Sequence, residues 1–328
     1  MMIIKEKLNT ATVGIKDLLT KAESIKAKSD DYILRKPKIR ENIWFENDGK
    51  IYFTSDEGCK ISASLSEHAI EQLGAKIGVP GQYILSCIEN GFCKLAQDNI
   101  NSWIPNYKGG FMFRKTDDHL RAVLSPRYTT YDSEQILDIV QRNVDLSDYS
   151  IRGSYISEER LHIRLIGNER MHIDGEDLFP ALFLDSSDVG RNILIIRFGI
   201  YKLVCTNGLV IGRADGILYR QKHIGVKADE FEVGLVSGLK KVPVLTMNAE
   251  GWVHKVQKEA MDIDAAYSYL KSMKLNADGQ DKVIKLMNNR YGMTKWGLIN
   301  GITEVAQDYT LDRREELEAA AGNILAKT

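Results

Sequence analysis

Along this chain the spacing of apolar residues changes period twice, from three or four to two and back again, so helices flank a strand-rich centre. Leu18, Leu19 and Ile25 predict a helix over 13–27, its lysines facing water. An extended arm follows through Lys36-Pro37. Asn47-Asp48-Gly49 between Trp44-Phe45 and Ile51-Tyr52-Phe53 predicts a hairpin over 43–54. Residues 64–104 are mostly helical, with Ala69, Ile70, Leu73 and Ile77 at helical spacing. Ser64 and Glu67 have capping-box spacing. Pro80 breaks the first of these helices and starts the next, and a third runs to about Trp103 before Ile104-Pro105.

Gly110–Asp132, GFMFRKTDDHLRAVLSPRYTTYD, predicts a second hairpin. Asp117-Asp118 makes its turn, and Ser125-Pro126 ends its return strand ahead of Arg127, Tyr128 and Tyr131. Asp132 or Ser133 caps a short helix over 134–143. Strands follow at 149–157, 160–166, 179–185, 192–198 and 216–224. In Leu161-His162-Ile163-Arg164-Leu165 the strict alternation buries one face and presents His162 and Arg164 on the other. Asn207-Gly208 predicts a tight turn. From Ala228 onward the pattern is helical, with Thr294 capping 295–308 and a last amphipathic helix at 311–326. The expected fold class is α+β: a central antiparallel sheet with hairpins and packed helices. The expected organisation is an N-terminal helix and arm at 1–40, a core at 41–227 and a helical region at 228–328.

Charge alters the picture through its distribution. The 328 residues carry a net charge of −1, which argues against coating nucleic acid by bulk charge. Between 197 and 227, however, Arg197, Lys202, Arg213, Arg220, Lys222 and Lys227 face a single acid, Asp215. Cys59, Cys87, Cys93 and Cys205 form no C-x-x-C pair, so neither zinc nor a disulfide framework is expected; Cys205 reads as a small buried residue. Few cysteines, no secretory leader pattern and no apolar run near ~18 residues point to a reducing cytoplasm, with no membrane contact. The chain has no GxxxxGK[ST], GxGxxG, HExxH or GxSxG motif, so neither ATP-driven strand exchange or helicase activity nor a cofactor is expected.

Cations interleaved with aromatic rings suit single-stranded nucleic acid: guanidinium and ammonium groups take phosphates, and flat rings take bases. The candidate phosphate contacts are Arg114, Lys115, Arg121, Arg127, Lys202, Arg213, Arg220 and Lys222; Tyr128, Tyr131 and Tyr219 are the candidate stacking rings. His223 reads equally as a phosphate contact and as part of a solvated edge strand. Arg191 and Arg197 flank the apolar 193–196 strand, with nothing to show that they converge. The acidic stretch 172–188 supplies weak metal candidates in His172, Asp174 and Asp185, although His172–Asp177 reads as an ordinary acidic turn bent at Gly175.

Four segments in order, LSEHAIEQLGAKIGVPGQYI, FRKTDDHLRAVLSPRYTTYDSEQIL, LVCTNGLVIG with a later KHIG, and WGLINGITEVAQDYTLDRREELEAAAGNIL, resemble domain-of-unknown-function family nine-thirty-two, carried by prophages and plasmids. The resemblance covers about residues 65–325, and it leaves activity open. By architecture the family is distantly similar to Rad-fifty-two-type annealing proteins, which implies ATP-independent single-stranded DNA binding and annealing in phage or plasmid recombination. It also implies a homo-oligomer, with a ring as one form. On that analogy the LSxRY segment is Leu124, Ser125, Arg127 and Tyr128, and the CTNGL turn is Cys205–Leu209. Near-neutral charge departs from strongly basic annealing proteins. It leaves two other classes open: a non-catalytic protein-binding factor of a mobile element, such as an anti-defence protein, and a metal-dependent nuclease.

Overall fold

The computed structural model describes residues 14–35, 43–202, 207–210 and 216–325. These form an α+β fold with two sheets and helices at both ends. The first sheet is built from β1 (Ser29–Leu34), β2 (Ile43–Phe45), β3 (Lys50–Thr54), β4 (Lys60–Leu65), β5 (Phe111–Thr116) and β6 (His119–Leu124), in the order β1-β5-β6-β4-β3-β2. All of its pairs are antiparallel except β4 with β6. The β2–β3 turn closes through Gly49, at φ +81°, where a side chain would be strained. Three helices, α2 (Glu67–Ile77), α3 (Gly81–Glu89) and α4 (Cys93–Trp103), share one apolar core with this sheet, including Phe45, Phe53, Phe111 and Phe113.

The expected N-terminal helix is α1 (Ile15–Ala27), and the described residues 14–35 pack on the body: Leu18 and Ala22 enter a core shared with α5 (Ser133–Asn143), and β1 completes the first sheet beside β5. The cap of α2 moves. Ser66 Oγ accepts from Ala69 N at 3.1 Å, while Ser64 is still in β4, where its backbone is bonded to Asp118. The other cap expectations hold: Asp132 precedes α5, and Thr294 Oγ1 accepts from Gly297 N at 3.0 Å.

The second sheet contains β7 (Tyr149–Ile151), β8 (Tyr155–Ile156), β9 (Leu161–Gly167), β10 (Met171–Ile173), β11 (Glu176–Ser186), β12 (Leu194–Lys202), β13 (Asn207–Val210) and β14 (Ile217–Gln221). Its spine runs β13-β12-β11-β9-β7, and β14 is a second partner of β12. Asn207 and Gly208 are the first residues of β13, paired with Lys202 and Tyr201, so they extend the ladder where a tight turn was expected. One face of this sheet packs against α1, α5, α6 (Ala228–Leu239), α7 (Val242–Lys258), α8 (Ile263–Ser272), α9 (Ala277–Leu286) and α10 (Lys295–Val305) in a single large core. The helix α11 (Leu311–Leu325) reaches the opposite face. His162 and Arg164 do point away from the core, as the alternation requires, but α11 covers them: Arg164 meets the fully buried Glu318 at 3.2 Å. Among the described residues no helix is long and apolar enough to cross a membrane.

Candidate nucleic-acid interface

The β5–β6 hairpin was expected to carry an exposed rim of cations and rings. It lies instead in the middle of the first sheet, with β1 on one side and β4 on the other, and its two arginines are buried. Arg114 is only 2% exposed. Its Nε and Nη2 each donate to the Asp31 carboxylate at 2.8 Å, and its Nη1 donates at 2.6 Å to both Asp132 Oδ1 and the Asp188 carbonyl. Burial by itself would favour the neutral guanidine, but Asp31 and Asp132 hold Arg114 firmly charged. Burial pushes Asp132 up, yet Arg114 and Lys26 bring it below the usual carboxylate range. Asp188, buried beside Asp132, is pushed up; its Oδ1 accepts from Ser133 N and Oγ. Arg121 is also buried and donates to the Glu158 carbonyl. These two arginines hold the sheets together and are unavailable to phosphates.

The aromatic candidates are spent inside the fold too. Tyr128 donates to the Ser187 carbonyl at 2.8 Å, and its ring stacks on His223, centroids 5.0 Å apart and nearly parallel. Tyr131 stacks on Phe231 at 4.9 Å, where burial pushes its hydroxyl up to about 12. Tyr219 lies so close to α6 that a Cβ on Gly234 would fall 2.1 Å from its ring. Lys115 is half-buried and 4.0 Å from Asp118. Lys202 is bound to Glu176 at 2.8 Å and sits over the Tyr291 ring. Arg213 and Cys205 lie outside the described residues. Of the expected contacts, only Arg127, Arg220 and Lys222 are exposed.

Those three are brought to one edge. The turn carrying Arg127 is tied to the segment after β14: Gly225 N donates to the Arg127 carbonyl at 3.3 Å, and Tyr128 bridges Ile224. Arg220 and Lys222 flank Gln221 at the end of β14, and exposed Lys227 follows. None of the four has an ion pair to a described residue. His223 lies behind them, 4% exposed, with its Nδ1 3.4 Å from the Thr129 carbonyl; burial pushes its pKa down to about 4, so it is neutral and structural.

Cross-strand register links this edge to a cleft on the same face of the second sheet. His162, Asp185, Ile195 and Arg220 form one row, directly opposite one another on β9, β11, β12 and β14. The cleft, about 610 Å³, is lined by Arg160, Arg191, Arg197 and Ile195, with Glu315 of α11 and Asp185 at its base. Burial pushes Asp185 up, but His162, Arg197 and Arg160 together hold it well below the usual carboxylate range. Sequence reading missed Arg160 altogether and left the meeting of Arg191 with Arg197 open. The outward parity of Arg197 on β12 was the available signal, and the course of the connecting loops was not.

The weak metal set does not assemble. His172 is 2.9 Å from Asp177 and Asp174 is 2.6 Å from His254, at the β10–β11 turn, while Asp185 lies at the far end of β11. Asp174 and Gly175 both have positive φ, as the expected acidic turn requires. Asp185 instead meets His162 and Glu315, their donor atoms within 4.8 Å of one another. Arg160 contacts both of these carboxylates and Arg197 contacts Asp185, so a divalent cation would enter a site whose acids are already neutralised.

A family model described as a domain of unknown function (DUF932) matches residues 121–324. The matched span includes every cleft and edge residue named above, and it excludes Arg114. No curated protein and no solved structure matches the chain.

Proposed function

The chain belongs to the DUF932 family, and from that premise we propose that it binds single-stranded nucleic acid along the open β14 edge and promotes annealing without a nucleotide cofactor. The observation carrying this reading is the sorting of charge. Arg114, Arg160, Arg164, Arg191, Arg197 and Lys202 all have carboxylate partners, whereas Arg127, Arg220, Lys222 and Lys227 stand exposed on one edge without an ion pair to a described residue. A chain of net charge −1 that leaves these four unneutralised together has a local site for a polyanion. With the candidate tyrosines engaged in the fold, the contact is to phosphates alone. It is sequence-independent and leaves the bases outward for a complementary strand.

Fluorescence anisotropy with oligothymidine across a salt series tests it. Four phosphate contacts at ~0.7 each give a slope of log K against log salt near −3. Mixing complementary oligonucleotides without ATP should show faster duplex formation in the presence of the protein. Absence of strand binding at low salt, or a slope unchanged when all four cations are replaced, would remove this function. A protein-binding role is the second reading, favoured by Val233 on α6 and by Val244 and Met247 one turn apart on α7, all exposed. It gains if no nucleic acid binds.

A further inference from the structure

Beyond the edge, we propose that the cleft on the second sheet binds a nucleoside 5′-monophosphate, either free or as the phosphorylated end of a strand. Three guanidinium groups reach the cleft from separate segments: Arg160 just before β9, Arg191 from the loop before β12, and Arg197 from β12. Planar forks arriving from different directions suit a tetrahedral phosphate monoester, which offers several oxygens in different planes. Arg197 and Arg191 keep donors available. Arg197 spends one nitrogen on Asp185, and its Nε is buried without an acceptor. A buried donor without an acceptor is costly, and an incoming oxygen would recover that cost. Arg191 is half exposed, and its contacts to Glu71 and Glu159 are 3.3 and 3.5 Å, loose surface pairs that hold it weakly. Asp185, sharing its carboxylate between Arg160 and Arg197, acts as their positioning residue.

The rest of the cleft fits a nucleoside better than a bare anion. At about 610 Å³ it falls in the usual range for small-molecule sites and is far larger than phosphate requires. Ile193, Ile195 and Ala319 give it an apolar strip for one face of a base. The carboxylates of Glu159 and Glu316 at its walls can accept from ribose hydroxyls or an exocyclic amine. The four carboxylates of the lining, Glu159, Asp185, Glu315 and Glu316, outnumber its three guanidinium groups, so the phosphate is held by directed donors and not by net charge.

Calorimetric titration of the full chain with deoxyadenosine 5′-monophosphate, deoxyadenosine and inorganic phosphate tests the site. The nucleotide should bind at least tenfold more tightly than either fragment. Arg191→Ala, which breaks only loose surface pairs, should weaken it at least fivefold with an unchanged thermal midpoint, and Ile195→Glu should abolish it by placing a carboxylate on the floor. Two oligothymidines, one 5′-phosphorylated and one 5′-hydroxyl, separate the sources. Preference for the phosphorylated one identifies a strand end, and equal binding alongside firm nucleotide binding identifies the free nucleotide. Equal affinity for inorganic phosphate and nucleotide overturns the nucleoside assignment; no binding at millimolar nucleotide, or binding unaffected by both variants, overturns the site. The edge reading fails separately, because an Arg220→Ala, Lys222→Ala double variant should lose strand binding and keep nucleotide affinity within twofold.

Discussion

Arg114 and Arg197 each project from a central strand, and each donates to an aspartate, yet their surroundings differ. Around Arg114 the partners Asp31, Asp132 and the Asp188 carbonyl take up the guanidinium between the two sheets, and exposure falls to 2%. Around Arg197 one nitrogen meets Asp185, its Nε meets no acceptor among the described residues, and the side chain opens on a cleft that runs toward the exposed Arg220. The first arrangement spends its donors on the fold; the second holds some in reserve. An arginine on a strand is thus structural or available according to how many acceptors the neighbouring elements bring to it.

The contrast breaks most visibly at Arg114. Arg114→Met leaves Asp31 without its guanidinium partner, Asp132 with Lys26 alone and the Asp188 carbonyl without its donor, and should cost about 3–5 kcal/mol, read as a shift in the denaturant midpoint. A loss below about 1 kcal/mol would mean that water reaches this cluster, and the two arginine sites would then differ only in degree.

Acid should act on the same region through His223. Burial lowers its pKa from 6.5 to about 4, so the folded chain keeps the ring neutral where the unfolded chain already takes up a proton. The associated stability is whole above about pH 6.5 and is lost as pH falls toward 4, by up to about 3 kcal/mol. Asp132 and Asp185 are held below the ordinary carboxylate value of 3.8, so their losses come at lower pH, while Asp188, pushed up by burial, takes its proton in the folded chain first and opposes the histidine in this window. In His223→Gln the fall between pH 6.5 and 4 should largely vanish. A slope identical to the parent would assign it to other groups.

Tyr128→Phe sharpens the division further. It deletes the bond to the Ser187 carbonyl and should cost about 1–2 kcal/mol, with strand affinity unchanged. Weakened strand binding in a variant of normal stability would return Tyr128 to the interface.

Most elements were legible because their signals are local. Asn47-Asp48-Gly49, Asp117-Asp118, Pro80 and the Thr294 cap each specify a backbone shape within a few residues. The α+β class and the family followed from the same kind of information. Burial of charge was not legible, since it depends on distant partners. Asp31 is 83 residues from Arg114, and Glu318 is 154 from Arg164. Period-two alternation placed His162 and Arg164 on the correct face, but only the position of α11 decides that this face is covered. The same holds for Tyr128 and Tyr131, whose exposure was inferred from the polar residues beside them and whose stacking partners, His223 and Phe231, lie about a hundred residues on.

The smallest effect on stability is expected at the open edge, where the functional effect should be clear. Arg220 is exposed, lacks an ion pair to a described residue and stands at the end of β14. Arg220→Ala should therefore change stability by no more than about 0.5 kcal/mol. If the edge carries phosphates, losing one contact should flatten the salt slope by ~0.7, and Lys222→Ala should do the same. The two effects should add, because each cation releases its own counterions. Lys115→Ala, which removes a half-buried cation of the sealed hairpin, should leave the slope untouched. If Lys115→Ala flattens the slope as much as Arg220→Ala does, the strand follows the first sheet as well, and the line drawn between sealed and open arginines no longer marks the interface.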